Sequence, residues 1–212
     1  MILQGKHIAK TLFALLLVLV SFNAVSAIAD DIPAPQALVK KASDDMVKAL
    51  KDNKAELNAH PEKIYDLVQK ILMPHFDFEK MSKLALGRNW RVASKKQREE
   101  FTEQFRLLLI RTYSTAMLQY TDEEIRFLPF RGDLSSRRAQ VDMKVIQASG
   151  PDIPMSLSLY QNDQKEWKVY DISIDGISLV TNYRSSFANE IRSGGMDKLI
   201  DDLTKRNEKV KV

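Results

Sequence analysis

The apolar residues of this chain change their spacing near residue 120, and this change is the strongest constraint on its fold. Before that point they recur at steps of three and four, which is typical of amphipathic helices. After it, four segments alternate apolar and polar residues, as strands with one buried face do. These segments are EIRFLPF, AQVDMKVIQA, PMSLSLY and EWKVYDISI. Short connections rich in turn residues join them, so we predict an antiparallel four-stranded sheet.

Helices are predicted on both sides of this sheet. Before it, one helix follows Pro35, a second runs from Pro61 to Pro74, and a third has Asp77 as its cap and Gly87 as its stop. The capping-box pattern SKKQ then opens a long helix over residues 95–120. After the sheet come SLVTNYRSSFANEIR, a double-glycine break and MDKLIDDL. Together these features predict an α+β domain whose N- and C-terminal helices pack on one face of the sheet.

The first 29 residues have the features of a secretory signal peptide. The apolar run LFALLLVLV, residues 12–20, is shorter than the roughly 20 residues that span a bilayer. Two lysines precede it, and small residues follow it at Val25, Ala27 and Ala29, as a cleavage site requires. We expect cleavage after Ala27 or Ala29; an uncleaved anchor is the alternative. Residues 30–212 then form the mature chain.

Composition excludes several classes of function. The chain contains no cysteine, so disulfides, thiolate nucleophiles and cysteine-ligated metal sites are absent. Loss of the two lysines of the leader lowers the formal net charge from +4 to +2, which argues against a nucleic-acid-binding protein. The mature chain of about 183 residues is long enough to support a single domain with its own core.

The sequence offers little catalytic chemistry. A His-x-Asp pair formed by His75 and Asp77 lacks further ligands nearby, and His60 fits a capping or exposed position better than a catalytic one. Asp171 and Asp175 would lie about 13 Å apart in a strand, beyond both glycosidase spacings. A loop-end cap at Asp175 and a hydrogen-bonded or exposed Asp171 explain them better. P-loop, nucleophile-elbow and dinucleotide motifs are missing. We predict no enzyme, no cofactor and no metal.

The inward-facing apolar residues admit two interpretations. Periodicity alone favours an ordinary packed core. The eight methionines of the chain, which pack adaptably, leave open an apolar cavity between the sheet and the helices.

Two long stretches carry a resemblance to a known family. LALGRNWRVASKKQREEFTEQFRLLLIRTYSTAMLQY and EWKVYDISIDGISLVTNYRSSFANEIRSGGMDKLIDDL are similar to the MlaC family, also called toluene-tolerance auxiliary proteins. The characteristic words are GRNWRVASKKQREEF and WKVYDISIDGIS, and the likeness covers about residues 35–205. One departure is the very short hairpin QNDQKEW, which bears on loop contacts.

The resemblance implies a periplasmic phospholipid carrier. Such a protein moves lipids between an outer-membrane lipoprotein–porin complex and the inner-membrane Mla ABC transporter complex, which maintains the lipid asymmetry of the outer membrane. It also implies a cavity for the acyl chains, with a volume near or above about 1,000 Å³ if two chains are held. We expect a monomer. A periplasmic enzyme with a cone-shaped α+β fold and a protein-binding adaptor with a solid core are the alternatives.

The resemblance and the spacing of the apolar residues together predict which residues bind lipid. The resemblance places four residues at or beside the family's pocket, namely Tyr113, Leu157, Leu159 and Ile177. The pattern adds Trp90, Leu109, Met117, Val145, Val169, Ile172, Val180 and Tyr183. Arg98 matches a surface position where we expect partner docking, although a solvated helix face explains it equally well. Arg88, Arg91 and Arg184 are candidates for contact with an anionic phosphate, and surface salt bridges explain them almost as well.

Overall fold

A twisted antiparallel sheet with helices on one side is the framework of the protein. The computed structural model describes residues 32–118, 124–147 and 150–209, so the predicted signal peptide lies outside the described residues. The strands are β1 (Glu124–Phe127), β2 (Arg138–Ile146), β3 (Ile153–Gln161), β4 (Trp167–Ile174) and β5 (Ile177–Ser178). The helices are α1 (Ala34–Asp52), α2 (Lys54–Ala59), α3 (Ile64–Ile71), α4 (Phe78–Leu86), α5 (Asn89–Val92), α6 (Lys95–Met117) and α7 (Leu179–Lys209).

The sheet has five strands in the order β1-β2-β3-β4-β5, which corrects the prediction of four. The additional strand, β5, contains two residues and pairs antiparallel with β4 through a tight turn at Asp175 and Gly176. Both turn residues have positive φ, 51° and 77°, which is the conformation that two-residue hairpins need. A strand this short has no alternation to detect, and this is why the sequence pattern did not predict it.

One face of the sheet is apolar and the other is wet. Across β2 and β3, Val141 opposes Leu157, and both side chains are buried toward the helices. On the opposite face the Ser156 hydroxyl donates to the carboxylate of Asp142 at 2.5 Å. Because alternate residues of a strand point to opposite faces, the apolar positions of these strands meet on the helical side. The predicted α+β class and the one-sided helical layer are confirmed.

Local capping fixes the starts of two helices. The Asp77 carboxylate accepts a hydrogen bond from the Lys80 backbone N–H at 2.8 Å and thereby begins α4. A reciprocal capping box begins α6, in which Gln97 N–H donates to the Ser94 hydroxyl at 3.2 Å and Ser94 N–H donates to the Gln97 side chain at 2.9 Å. Both caps lie where the sequence predicts them.

The C-terminal helix packs against the long helix through aromatic rings. Phe101 and Phe105 of α6 meet Tyr183 and Phe187 of α7, with ring centroids 5.2–5.6 Å apart. Close aromatic contacts of this kind fill space efficiently and bury large apolar areas. The α6–α7 side of the molecule is therefore a solid core. Farther along, α7 breaks at Gly195, whose φ of 81° is not helical, within the predicted double-glycine break.

Candidate functional site: an apolar cavity between the sheet and the N-terminal helices

A cavity of about 600 Å³ lies between the sheet and the helices. The apolar face of β2, β3 and β4 forms one wall, with Met143, Leu157 and Val169 among its residues. The opposite wall comes from α1, α3 and α6, which contribute residues such as Met46 and Leu109. The volume falls within the range of about 300–1,000 Å³ that holds small organic ligands.

The lining is apolar and rich in methionine. Six of the eight methionines of the chain contribute to it, namely Met46, Met73, Met81, Met117, Met143 and Met155. Among the described lining residues there is no aspartate, glutamate, lysine or arginine; the polar members are Ser43, His75, Tyr113, Ser114 and Gln147. Because methionine is unbranched and polarisable, such a wall can adapt to ligands of different shape.

Seven of the twelve predicted lipid-binding residues lie on the cavity wall. Leu109, Tyr113 and Met117 project from successive turns of α6. The other four belong to the sheet and are Val145, Leu157, Val169 and Ile172. The residues with the correct helical and alternating spacing are thus brought together on two facing walls.

The remaining five predicted residues do not line the cavity. The solid core between α4, α6 and α7 contains Trp90, Val180 and Tyr183. Leu159 is fully buried on the apolar face of β3. Ile177 lies at the predicted strand-to-helix turn, but its side chain is 60% exposed. The aromatic contacts between α6 and α7 close this side of the molecule, so inward-facing residues there meet other side chains instead of a cavity.

Sequence reasoning missed the contribution of the N-terminal helices. Val39, Ala42 and Met46 of α1 line the cavity, as do Val68 of α3 and Phe76. The helical spacing of the α1 residues predicts that they are buried, and this was the only sequence signal for their position. Spacing does not tell which partner a buried face meets, so it could not separate a cavity wall from a packed core.

Tyr113 is half-buried at the cavity wall. Burial, together with a hydrogen bond to Tyr183, raises the pKa of Tyr113 from the ordinary value of 10.0 to about 12. Tyr113 lines the cavity, and its hydroxyl lies close to Tyr183 of α7. This contact couples the cavity wall to the solid core behind it.

The arginines considered at the sequence level lie away from the cavity lining. Arg98 donates to the carbonyl oxygens of Trp90 at 2.8 Å and Arg91 at 3.1 Å, and its guanidinium lies 5.5 Å from the Trp90 ring. It therefore braces the short helix α5 against the start of α6. The Arg184 guanidinium packs against Gly87, where an added Cβ would lie 2.7 Å from it.

Asp171 in β4 and Asp175 just after it have structural roles. Asp171 accepts hydrogen bonds from the Ser178 hydroxyl at 2.6 Å and from the Val180 backbone N–H at 3.2 Å, which ties β4 to the start of α7. Asp175 occupies the β4–β5 turn. In the described part of the chain, no group of three or more His, Cys, Asp or Glu side chains is arranged to hold a metal ion. Over the same ranges, no helix is both long and apolar enough to cross a membrane.

Two known proteins are similar to this chain over most of its length. The toluene tolerance protein ttg2D of Pseudomonas putida is 30% identical over 190 residues, which cover 88% of this chain and 86% of the relative. The intermembrane phospholipid transport system binding protein MlaC of Haemophilus influenzae is 23% identical over 172 residues, or 80% of each chain.

A solved structure shares the fold. The phospholipid-binding protein from Ralstonia solanacearum, determined in complex with a phospholipid, is 30% identical and superposes with a TM-score of 0.77 over 83% of this chain and 98% of its own. The sequence profile described as "MlaC protein" matches residues 40–205, which is most of the described chain. The chain therefore belongs to the MlaC family.

Proposed function

We propose that the mature protein is a periplasmic phospholipid carrier whose cavity holds acyl chains. The observation that carries this proposal is the apolar cavity of about 600 Å³ without charged lining residues in the described chain. Membership of the MlaC family and the similarity to a phospholipid-binding protein support it. No catalytic step is needed for this function.

The size of the hydrophobic effect explains why a carrier is required. A diacyl phospholipid carries about 30 methylenes, and at roughly 0.8 kcal/mol each their exposure to water costs on the order of 20 kcal/mol. Unassisted transfer across an aqueous compartment is therefore very slow. The cavity needs to replace the bilayer at similar free energy, because a much better site would not release its lipid and a much worse one would not load.

The cavity is smaller than the predicted volume for two acyl chains, near or above about 1,000 Å³. Its methionine-rich wall offers a physical route to expansion, since methionine side chains change rotamer with little steric cost. In the proposed function the wall opens as chains enter and closes when they leave. The neighbouring α6–α7 core stays fixed throughout.

Transfer between vesicles tests the proposed function. Donor vesicles containing a fluorescent phospholipid are mixed with unlabelled acceptor vesicles and with the mature protein, residues 30–212. We expect transfer to rise in proportion to protein concentration, and we expect the Leu157→Asp variant, with a charge on the wall, to lose this activity. A wild-type protein that neither binds nor transfers lipid would refute the carrier function.

We further propose that the segment from residue 80 to residue 98 docks on the two membrane complexes, the outer-membrane lipoprotein–porin complex and the inner-membrane ABC transporter complex. It contains seven lysines and arginines and no acidic residue. Val92 is 84% exposed at its centre, and Arg98 holds the segment in place through the backbone of Trp90 and Arg91. Near Val92 in the chain, Arg91, Lys95 and Lys96 are exposed, and positive charge beside an exposed apolar side chain complements an acidic protein surface.

Charge reversal tests this docking surface. Arg91→Glu introduces an acid into the segment, whereas Arg192→Glu makes the same change at an exposed position of α7. We expect only the first variant to lose binding to the purified complexes, with lipid content unchanged in both. Equal binding by the two variants would show that docking occurs elsewhere.

The proposed location depends on removal of the leader. The mature protein recovered from the periplasm is expected to begin after Ala27 or Ala29 and to carry the proposed outer-membrane asymmetry function in cells. N-terminal sequencing checks the site of cleavage. Recovery of the uncleaved chain in the membrane fraction would support the anchor alternative instead.

A further inference from the structure

His75 is the one lining residue of the described cavity whose side chain can carry a positive charge near neutral pH. It is partly exposed, so it lies at the boundary between the cavity and solvent. Two backbone contacts of its neighbours hold the segment against β4: the Lys168 ammonium donates to the Pro74 carbonyl oxygen at 3.0 Å, and Asp77 N–H donates to the Val169 carbonyl oxygen at 2.9 Å.

We infer that His75 forms a subsite for the phosphate group of a phospholipid whose acyl chains fill the cavity, with the Lys168 ammonium, held at the Pro74 carbonyl oxygen, as a neighbouring positive charge. This inference rests on the proposed function and identifies which part of the wall reads the head group. An imidazole at the cavity boundary can donate a hydrogen bond to a phosphate oxygen. An ammonium beside it adds electrostatic attraction, and hydrogen bonds to a charged phosphate are the stronger kind.

The charges around His75 balance when the site is without lipid. Lys41 of α1 pairs with Asp45 at 2.5 Å, and Lys168 pairs with Glu166 at 3.3 Å, so each nearby ammonium has a carboxylate partner. Burial, followed by the charge of Lys168, lowers the pKa of His75 below its ordinary value of 6.5. The imidazole is therefore neutral at pH 7. A phosphate diester would bring one negative charge, which protonation of His75 would balance.

Proton uptake on binding follows from this arrangement. A phosphate anion stabilises the imidazolium and raises the pKa of His75, so binding of phospholipid should take up a proton. The affinity for phospholipid relative to an uncharged lipid should then be greater at pH 6 than at pH 8. An uncharged lipid with the same acyl chains should show no such dependence.

A pair of lipids that differ only in the head group tests the inference. Mature protein is equilibrated with vesicles containing equal amounts of dioleoylphosphatidylglycerol and dioleoylglycerol, and the bound lipids are quantified by mass spectrometry at pH 6 and pH 8. The variants are His75→Ala and His75→Gln. Glutamine keeps a hydrogen-bonding side chain of similar size but stays uncharged. His60→Gln is the matched control, because His60 is an exposed histidine beside Glu62.

We expect the wild type and His60→Gln to prefer the phospholipid, and we expect His75→Ala to reduce this preference by about tenfold. The His75→Gln variant should lose the pH dependence. Unchanged selectivity and pH dependence in the folded His75 variants, with lipid still bound, would overturn the phosphate subsite and leave the carrier function intact. Failure of the wild type to bind either lipid would instead overturn the carrier function and, with it, this subsite.

An NMR titration gives an independent readout of the same contact. The imidazole of His75 is followed in protein loaded with phosphatidylglycerol and in protein loaded with dioleoylglycerol. We expect the pKa of His75 to rise in the first sample relative to the second. Equal values in the two samples would show that the phosphate does not contact His75.

Discussion

Met143 and Met155 lie directly opposite each other on β2 and β3, and both side chains line the cavity. Two flexible thioethers at a paired position of a sheet leave the wall between them deformable. A branched pair would define its shape more strictly, because β-branched and γ-branched side chains have fewer accessible rotamers. If the cavity holds acyl chains as proposed, this pair sets part of its capacity for chains of different length.

Replacement of this pair by leucine tests the role of methionine. The double variant Met143→Leu/Met155→Leu conserves volume, so each change should cost less than about 1.5 kcal/mol of folding stability. We expect lipid to be retained, with a narrower distribution of acyl-chain lengths in the extracted lipid. Mass spectrometry of that extract is the measurement, and an unchanged distribution would argue against the adaptable wall.

Leu157 and Leu159 offer a matched pair on one strand. Both are buried on the apolar side of β3, but Leu157 lines the cavity and Leu159 does not. Leu157→Asp should abolish lipid retention, because an acidic group there opposes acyl chains. Leu159→Ala should lower the free energy of unfolding by about 2–5 kcal/mol while lipid is still retained. Thermal unfolding and lipid extraction are measured together, and loss of lipid in both variants would mean that stability, not the wall, controls retention.

Two half-buried tyrosines predict a loss of stability at high pH. The pKa of Tyr113 and of Tyr160 is raised to about 12, mainly by burial, whereas an unfolded tyrosine titrates near 10. Their contribution is complete below pH 10 and is lost as the pH rises from about 10 to 12, because the unfolded chain releases these protons first. Urea denaturation at several pH values measures this fall. Tyr113→Phe should make it shallower, and an identical slope in that variant would contradict the assignment.

Adding a side chain at Gly87 and at Gly176 distinguishes the cost of a steric clash from the cost of backbone strain alone. Gly87 has a φ of 54° and its added Cβ would press on the Arg184 guanidinium, whereas Gly176 has a φ of 77° and open space around it. Gly87→Ala should therefore cost about 1–3 kcal/mol through strain and displacement of Arg184. Gly176→Ala should cost about 1 kcal/mol. Chemical denaturation gives both values, and an equal cost at the two sites would show that Arg184 moves freely.

The local parts of the fold could be predicted from the sequence because local interactions determine them. The Asp77 cap, the Ser94 capping box and the break at Gly195 each depend on residues within four positions. The alternation of β2 and β3 likewise reports one dry and one wet face. These signals were sufficient for the α+β class and for the starts of α4 and α6. They did not predict α2 or α5, and the single helix predicted from Pro61 to Pro74 is α-helical only over Ile64–Ile71.

The cavity wall could be predicted only in part, because it depends on tertiary contacts. Leu157 and Leu159 have the same spacing and the same face, yet only one meets empty space. Trp90 is buried and Tyr183 is partly buried, but both pack against the core that α6 and α7 form and not against the cavity. Which buried faces meet each other, and how completely they fill the space, is not encoded in periodicity.

Lipid extraction from the native protein tests the carrier function most directly. Mature protein is purified from the periplasm without detergent, extracted with organic solvent and analysed by mass spectrometry against protein concentration. We predict about one phospholipid or more for each protein molecule, and a loss of that lipid in the Leu157→Asp variant. A folded, monodisperse wild type that contains no lipid and takes up none from vesicles would contradict the proposed function.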